Sequence, residues 1–179
     1  MPLTRLLDPA DAPAVASLLQ ENRSYLAPWQ PVRPDRYYTE AGQREAVEKA
    51  LEQHASGSSL PLVIEDGSGV VVGTVTLQSI IRGAFQSCSV GYWLSEAAQG
   101  NGLATRALSE AVGLAFGDLR LHRIQAETLP HNRRSQRVLE RVGFVQYGAA
   151  ASYLHIAGEW QDNLLYQLLT PTPERVELA

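Results

Sequence analysis

Apolar residues recur along this chain with two periods, and the periods divide it into elements. Spacings of three and four at Val15, Leu18 and Leu19 mark one face of a helix that begins near Ala12, after the turn-forming run Asp8-Pro9-Ala10-Asp11. The same spacing predicts a helix over residues 39–54 that carries Ala46, Val47, Ala50 and Leu51 inward. The strongest helical pattern covers residues 102–116, with Ala104, Ala107, Leu108, Ala111, Val112 and Ala115 on one face. A further helix runs over 132–142 and ends at Gly143, a residue suited to the left-handed turn that closes helices. Two-residue alternation and short apolar runs predict strands at 3–7, 60–65, 70–81, 86–94, 123–129, 144–147, 153–156 and 159–169. Asp66-Gly67-Ser68-Gly69 is hairpin-turn chemistry between two of them. Pro28, Pro31 and Pro34 exclude regular helix from residues 22–36, which read as a loop pinned by Trp29.

The order is a strand, two helices, an antiparallel run, then β-α-β-α-β. This predicts an α/β (α+β type) fold with one mixed sheet. There is no internal repeat and no linker-like stretch in the 179 residues, so a single domain over 1–170 is expected, followed by a flexible tail at 171–179.

Composition narrows the function classes. A net charge of −4 gives no basic footprint for nucleic acid or an anionic membrane. Lys49 is the only lysine, so a phosphate loop that needs lysine after its second glycine is excluded. Cys88 is the only cysteine, which excludes internal disulfides and cysteine-rich zinc sites. His54, His122, His131 and His155 have no metal-ligand spacing, so no metal is expected. With no apolar run of about 18 residues and no leader pattern at its start, the chain reads as cytoplasmic.

The chemistry concentrates between Gly91 and Leu108. A strand enters a short loop holding Gly100 and Gly102, and the strongest helix starts at once. Glycines let backbone N–H groups converge, and a helix N-terminus adds about half a positive charge, so the segment is an anion cradle able to hold a pyrophosphate. A dinucleotide fingerprint does not fit, because Thr105 stands where its third glycine would be.

Gln99-Gly100-Asn101-Gly102-Leu103-Ala104 resembles the Gln/Arg-x-x-Gly-x-Gly/Ala signature of the Gcn5-related N-acetyltransferases. Other segments agree in order and distance. Gly91-Tyr92-Trp93-Leu94 resembles the strand before that signature; Asn132-x-x-Ser135, Val138-Leu139-Glu140 and Gly143-Phe144 resemble the second segment of the family. Gly158-x-Trp160-x-Asp162, with Asn22, Leu26, Pro28 and Trp29 near the start, resembles the ribosomal-protein (RimJ/RimL-like) branch. The branch usually ends in Asp-His, whereas this chain has Asp162-Asn163.

The resemblance implies a mostly antiparallel central sheet, flanked by helices and splayed between its fourth and fifth strands (86–94 and 123–129), with acetyl-CoA inserted in the gap. It implies pyrophosphate binding by Gln99, Gly100, Asn101, Gly102, Leu103, Ala104 and Thr105. Backbone at Trp93, Leu94 and Ser95 would bond the pantetheine amides, an N–H near Leu94 would hold the thioester oxygen, and Asn132 would add a pantetheine contact. Glu127 corresponds to the position of the base in several members, and a solvated strand carboxylate is the alternative reading. Ser135 would act near the sulfur; the tyrosine that does so elsewhere in the family is replaced by Leu139, which leaves Ser135 or water as proton donor. Arg120, Arg123, Arg133, Arg134, Arg137 and Arg141 crowd one interval, and one or two would meet the 3′-phosphate of the cofactor. Cys88 reads as a buried strand residue, and Tyr153 and Trp160 as core or groove-lining aromatics.

The leading expectation is acetyl transfer to a protein N-terminal α-amine. An α-amine with pKa near ~7.8 costs ~1 kcal/mol to deprotonate at pH 7, whereas lysine at ~10.4 costs ~4.6 kcal/mol. That arithmetic does not separate a peptide from an antibiotic, amino acid or polyamine, so small-amine acetylation stays open, as does a non-catalytic acyl-CoA sensor. Either a monomer or a homodimer is compatible with the sequence.

Overall fold

The computed structural model describes residues 2–170; the tail expected at 171–179 lies outside the described residues. Twelve helices and strands, numbered in chain order, arrange around one sheet. β1 (Thr4–Leu6) leads into α1 (Ala12–Glu21), the single turn α2 (Arg23–Leu26) and α3 (Glu40–Ala55). β2 (Leu60–Glu65), β3 (Val71–Ile81) and β4 (Ser87–Leu94) follow, then α4 (Leu103–Phe116), β5 (Arg123–Thr128), α5 (Arg133–Val142), β6 (Val145–Ile156) and β7 (Glu159–Leu169). The spatial order is β1-β2-β3-β4-β5-β7-β6. All neighbours run antiparallel except β4 and β5, which are parallel.

Each face of the sheet has its own cover. On one face, Ala107, Leu108, Ala111 and Ala115 of α4 and Leu139 of α5 pack against Leu62, Ile64, Val75, Leu77, Val90 and Ile124, forming the main core. On the other, Val15 and Leu19 of α1 pack with Leu26 and Trp93, while Val47 of α3 meets Val63. The helical faces read from three- and four-residue spacing are therefore the buried faces.

Two expectations are corrected. Residues 22–36 are not wholly without helix: α2 is one α-turn, and Ala27–Trp29 forms a 3-10 turn. Pro28 sits in the first turn of that segment, where its missing N–H has no intrahelical partner to lose. Likewise, 144–147 and 153–156 are not two strands but parts of β6. Its register against β7 jumps between Ala150↔Asn163 and Leu154↔Gln161, so three residues of β6 face one of β7. Ser152 takes a positive φ of 47° there, and its N–H donates to Asp162 Oδ1 at 2.9 Å. The bulge interrupts the alternation that marks a strand, which is why the sequence pattern reads as a break.

The splay lies where β4 leaves β5. The two strands pair only at Ser87↔Arg123, Cys88↔Ile124 and Ser89↔Gln125, although β4 continues to Leu94 and β5 to Thr128. From there β5 keeps its antiparallel partner β7 through Thr128↔Leu164, and β4 keeps β3 through Leu94↔Gly73. A wedge opens between them, with strand edge on both sides.

Candidate active site

The wedge continues into one open cleft of about 810 Å³ that reaches the start of α4. Its floor is β4: Tyr92, Trp93 and Leu94. The Ser95 N–H donates to Val72 O on β3 at 2.9 Å, and Gln86 O accepts from His122 N on the β5 side at 2.8 Å. Because backbone groups alternate sides along a strand, Trp93 turns its N–H toward β3 with Ser95, while Tyr92 and Leu94 turn theirs into the wedge. Leu94 is the last such donor.

One end of the cleft is the expected cradle. Gly100 and Gly102 adopt left-handed conformations (φ 83° and 74°), and a Cβ at either would meet no atom within 4 Å, so both glycines serve backbone direction rather than close packing. Gly102 caps α4 with no side-chain hydrogen bond. The first-turn N–H groups, at Leu103, Ala104 and Thr105, therefore have no capping side chain, and those three residues line the cleft. Gln99 bridges the mouth: its Nε2 donates to the Tyr25 hydroxyl, and its Oε1 accepts from Arg134 Nη1 at 2.8 Å. Arg133, Arg134, Arg137 and Arg141, all on α5, line the same cleft, whereas Arg120 and Arg123 do not.

The opposite wall is the start of α5. Asn132 caps it, its Oδ1 accepting from the Ser135 N–H at 3.1 Å. The Ser135 hydroxyl lies 2.9 Å from the Tyr92 hydroxyl, which is also 3.2 Å from the Ser135 carbonyl oxygen. Burial pushes the Tyr92 phenol up to about 12, opposed by its bond to Ser135. The sequence places Tyr92 in the strand segment Gly91-Tyr92-Trp93-Leu94 before the glycine loop and gives its hydroxyl no role. A buried tyrosine needs a partner for its hydroxyl, but which residue meets it depends on the wedge. Leu139, at the position of the family's tyrosine, is fully buried in the core.

Not every candidate residue lies on this cleft. Trp93, Leu94, Gln99, Gly100, Gly102, Leu103, Ala104, Thr105, Asn132 and Ser135 line it; Asn101, Ser95 and Glu127 are not among its lining residues. Ser95 is buried, its N–H spent on β3. Glu127 lies on β5, where Ile124 and Ala126 face the α4 core and Gln125 and Glu127 face the other way. Burial raises its carboxyl above the ordinary carboxylate range. The Glu127 charge in turn helps raise the Tyr153 phenol, after the larger effect of desolvation, and Gln125 Nε2 donates to Tyr147 Oη at 2.8 Å. Glu127, Tyr147 and Tyr153 thus share the sheet face opposite the cradle.

Of the two readings of Tyr153 and Trp160, core or groove-lining, the structure excludes the first. Trp160 and Tyr153 are not core residues, at 66% and 44% exposed; Trp160 meets His155 edge-on with ring centroids 5.4 Å apart. Trp29 lines the cleft against His131, with centroids 5.4 Å apart. The Gln30 carbonyl accepts from Ala157 N at 2.9 Å, joining that loop to the β6–β7 turn. Cys88 is buried, and burial pushes its thiol up to about 12, so it is no nucleophile. Among the described residues, no three histidines, cysteines or acids gather as metal ligands, and no helix is long and apolar enough to cross a membrane.

Comparison with known proteins agrees with this geometry. Residues 3–145 match the acetyltransferase (GNAT) domain family. The chain is 35% identical over 176 residues to the [ribosomal protein uS5]-alanine N-acetyltransferase of Escherichia coli (strain K12), covering 97% of this chain and 91% of that protein. The ribosomal-protein-S5-alanine acetyltransferase from Vibrio fischeri superposes with a TM-score of 0.89 at 33% identity, over 95% of this chain and 94% of that one. Mycobacterium smegmatis RimJ, solved in complex with CoA-disulfide, superposes with a TM-score of 0.91 at 30% identity, over 94% and 83%.

Proposed function

The chain belongs to the GNAT acetyltransferase family, in its RimJ/RimL-like ribosomal-protein branch, and from that premise we propose that it transfers the acetyl group of acetyl-CoA to the α-amine of a protein N-terminus, with alanine as the first residue to try. One observation carries the reading. A single cleft joins an uncapped helix N-terminus to an unpaired strand edge, and Glu127, a carboxylate raised by burial, lies across the sheet from it.

The residues present fit acetyl-CoA. Gly100 and Gly102 direct backbone N–H groups to the start of α4, where they and the helix dipole would hold the pyrophosphate. Gln99 and Asn101 complete that loop. Arg134, Arg137 and Arg141 offer guanidinium groups for the 3′-phosphate. The edge at Tyr92 and Leu94 would hold the pantetheine arm, with Asn132 on the opposite wall. Bound acetyl-CoA supplies an acyl group activated as a thioester.

Three residues then divide the chemistry. The Leu94 N–H meets negative charge growing on the carbonyl oxygen as the amine nitrogen bonds to carbon. Ser135 would donate a hydrogen bond to the sulfur as the carbon–sulfur bond breaks, the thiolate then taking its proton from solvent. Glu127 takes the proton lost by the attacking ammonium, through water, since it is not on the cofactor cleft itself. A base raised by burial is closer in pKa to an α-ammonium than an ordinary carboxylate is, so burial lowers the cost of that transfer. The names of the E. coli and V. fischeri relatives support an N-terminal alanine as acceptor.

The test is acetyl-CoA consumption against a panel of N-terminal peptides, lysine peptides, amino acids, polyamines and aminoglycosides. Turnover that is highest with N-terminal peptides is expected. Turnover only with small amines, or tight CoA binding with no turnover on any amine, would overturn the reading.

A further inference from the structure

Ser135 is held from two sides. Its N–H is tied to Asn132 Oδ1 at 3.1 Å, and its Oγ lies 2.9 Å from the hydroxyl of Tyr92, which reaches across the wedge from β4. All three residues line the cleft. A serine hydroxyl rotates freely, so a donor held against its lone pairs narrows the directions its own hydrogen can take. We propose that Tyr92 is a positioning residue, whose phenol donates to Ser135 Oγ and so aims the serine's own hydrogen at the thiol sulfur of the cofactor. This rests on the assignment of Ser135 to the sulfur made above.

The phenol has one hydrogen and two acceptors in reach, Ser135 Oγ at 2.9 Å and the Ser135 carbonyl oxygen at 3.2 Å. The shorter contact and the greater acidity of a phenol over an alcohol favour donation to Oγ. Tyr92 does not itself give up the proton. Its phenol is pushed up to about 12, whereas an ordinary thiol sits at ~8.5, so transfer from phenol to thiolate is strongly uphill. The tyrosine therefore orients and polarises, and the departing sulfur takes its proton finally from solvent. The chain has leucine where the family's tyrosine acid stands, and it brings a tyrosine hydroxyl to the same neighbourhood from a different element.

The readout is binding as well as rate. CoA and desulfo-CoA, which lacks the thiol, are titrated into wild type, Tyr92→Phe, Ser135→Ala and the double variant at pH 6 and pH 9.5. In wild type the preference for CoA should grow with pH as the thiolate forms, by about tenfold, the scale of one hydrogen bond to an ion. Either single variant should lose most of that gain, and the double variant no more than Ser135→Ala alone. Desulfo-CoA should bind all four proteins alike. In turnover, kcat should fall about tenfold in each single variant without further loss in the double, and KM for acetyl-CoA should hold.

Equal weakening of CoA and desulfo-CoA by Tyr92→Phe would make Tyr92 a structural latch and overturn the proposal. So would independent, multiplying losses in kcat. If Ser135→Ala leaves both the thiol preference and kcat intact, the assignment of Ser135 falls, and this proposal with it; a slow Ser135→Ala beside a silent Tyr92→Phe overturns this proposal alone. Should Tyr92→Phe not fold, a fluorinated tyrosine at position 92 keeps the shape and makes the phenol more acidic. Its kcat should then fall with rising pH through the new phenol pKa, where a phenolate no longer donates; a profile unchanged from wild type would overturn the proposal.

Discussion

At the scale of single residues, Glu127 and Gly102 carry the sharpest expectations. Glu127 has its carboxyl raised by burial, so its ionised form is the one the fold disfavours. Its contribution to stability is thus fully present below the ordinary carboxylate value and is lost as pH rises through the raised one. Glu127→Gln should melt higher than wild type at pH 8 and no higher at pH 4, by thermal denaturation. The same variant should lower kcat/KM by ~10²–10⁴ at neutral pH, the scale of a lost general base, and recover part of it at high pH, where the amine is already neutral. Equal loss at every pH would remove Glu127 from the base role.

Gly102 allows charge to be separated from conformation. Its φ of 74° suits asparagine and aspartate better than other side chains, and a Cβ there meets open space. Gly102→Asn should therefore bind CoA within a few-fold of wild type, while Gly102→Asp adds a negative charge at the phosphates. At about 6 Å and an effective dielectric near 20 that repulsion is ~2.8 kcal/mol, about 100-fold in affinity. Calorimetric titration of both variants measures the gap; equal affinities would put the phosphates elsewhere. The family resemblance supplied the role of Ser135, whereas Gly102 and Asn132 were legible in the sequence because loop chemistry and helix starts are local. The hydroxyl pair of Tyr92 and Ser135 was not, since 43 residues separate the two in sequence.

At the scale of elements, α5 shows what local sequence encodes. Asn132 satisfies the Ser135 N–H, and Gly143 ends the helix at φ 102°. Asn132→Ala should cost ~1 kcal/mol, a drop in Tm of about 2–4 °C for a chain of this size. Because the cap also fixes Ser135, kcat should fall as well; unchanged stability and rate would show that the cap does neither. The α1, α3 and α4 patterns were readable for a related reason: three- and four-residue spacing reports a buried face directly. β6 was misread as two strands because a bulge at Ser152 breaks the period of two, and the compensating bond to Asp162 comes from another strand. The turns over residues 23–29 were hidden by the prolines that follow: α2 ends before Pro28, which sits in the first turn of the 3-10 segment where a proline is tolerated.

At the scale of the molecule, the splay between β4 and β5 is the feature that periodicity does not encode. Both strands alternate normally, and nothing in either reports that their pairing stops at Ser89 and Gln125. Only the family resemblance supplied that expectation. An edge left open in this way should be closed by ligand. At 100 times its Kd, CoA should add ~2.7 kcal/mol to stability, raising Tm by about 5–10 °C. Amide exchange should slow at Tyr92 and Leu94, whose N–H groups face the wedge. No thermal shift and no protection there would place the cofactor outside the splay.

The central claim is transfer to an N-terminal α-amine through this cleft. The most direct measurement offers the enzyme and acetyl-CoA an alanine-initiated peptide with an internal lysine, together with the same peptide blocked at its N-terminus, and locates the acetyl group by mass spectrometry. The expected result is one acetyl group, on the terminal alanine of the free peptide, with the blocked peptide untouched. Acetylation of lysine in both peptides at equal rates would contradict the claim.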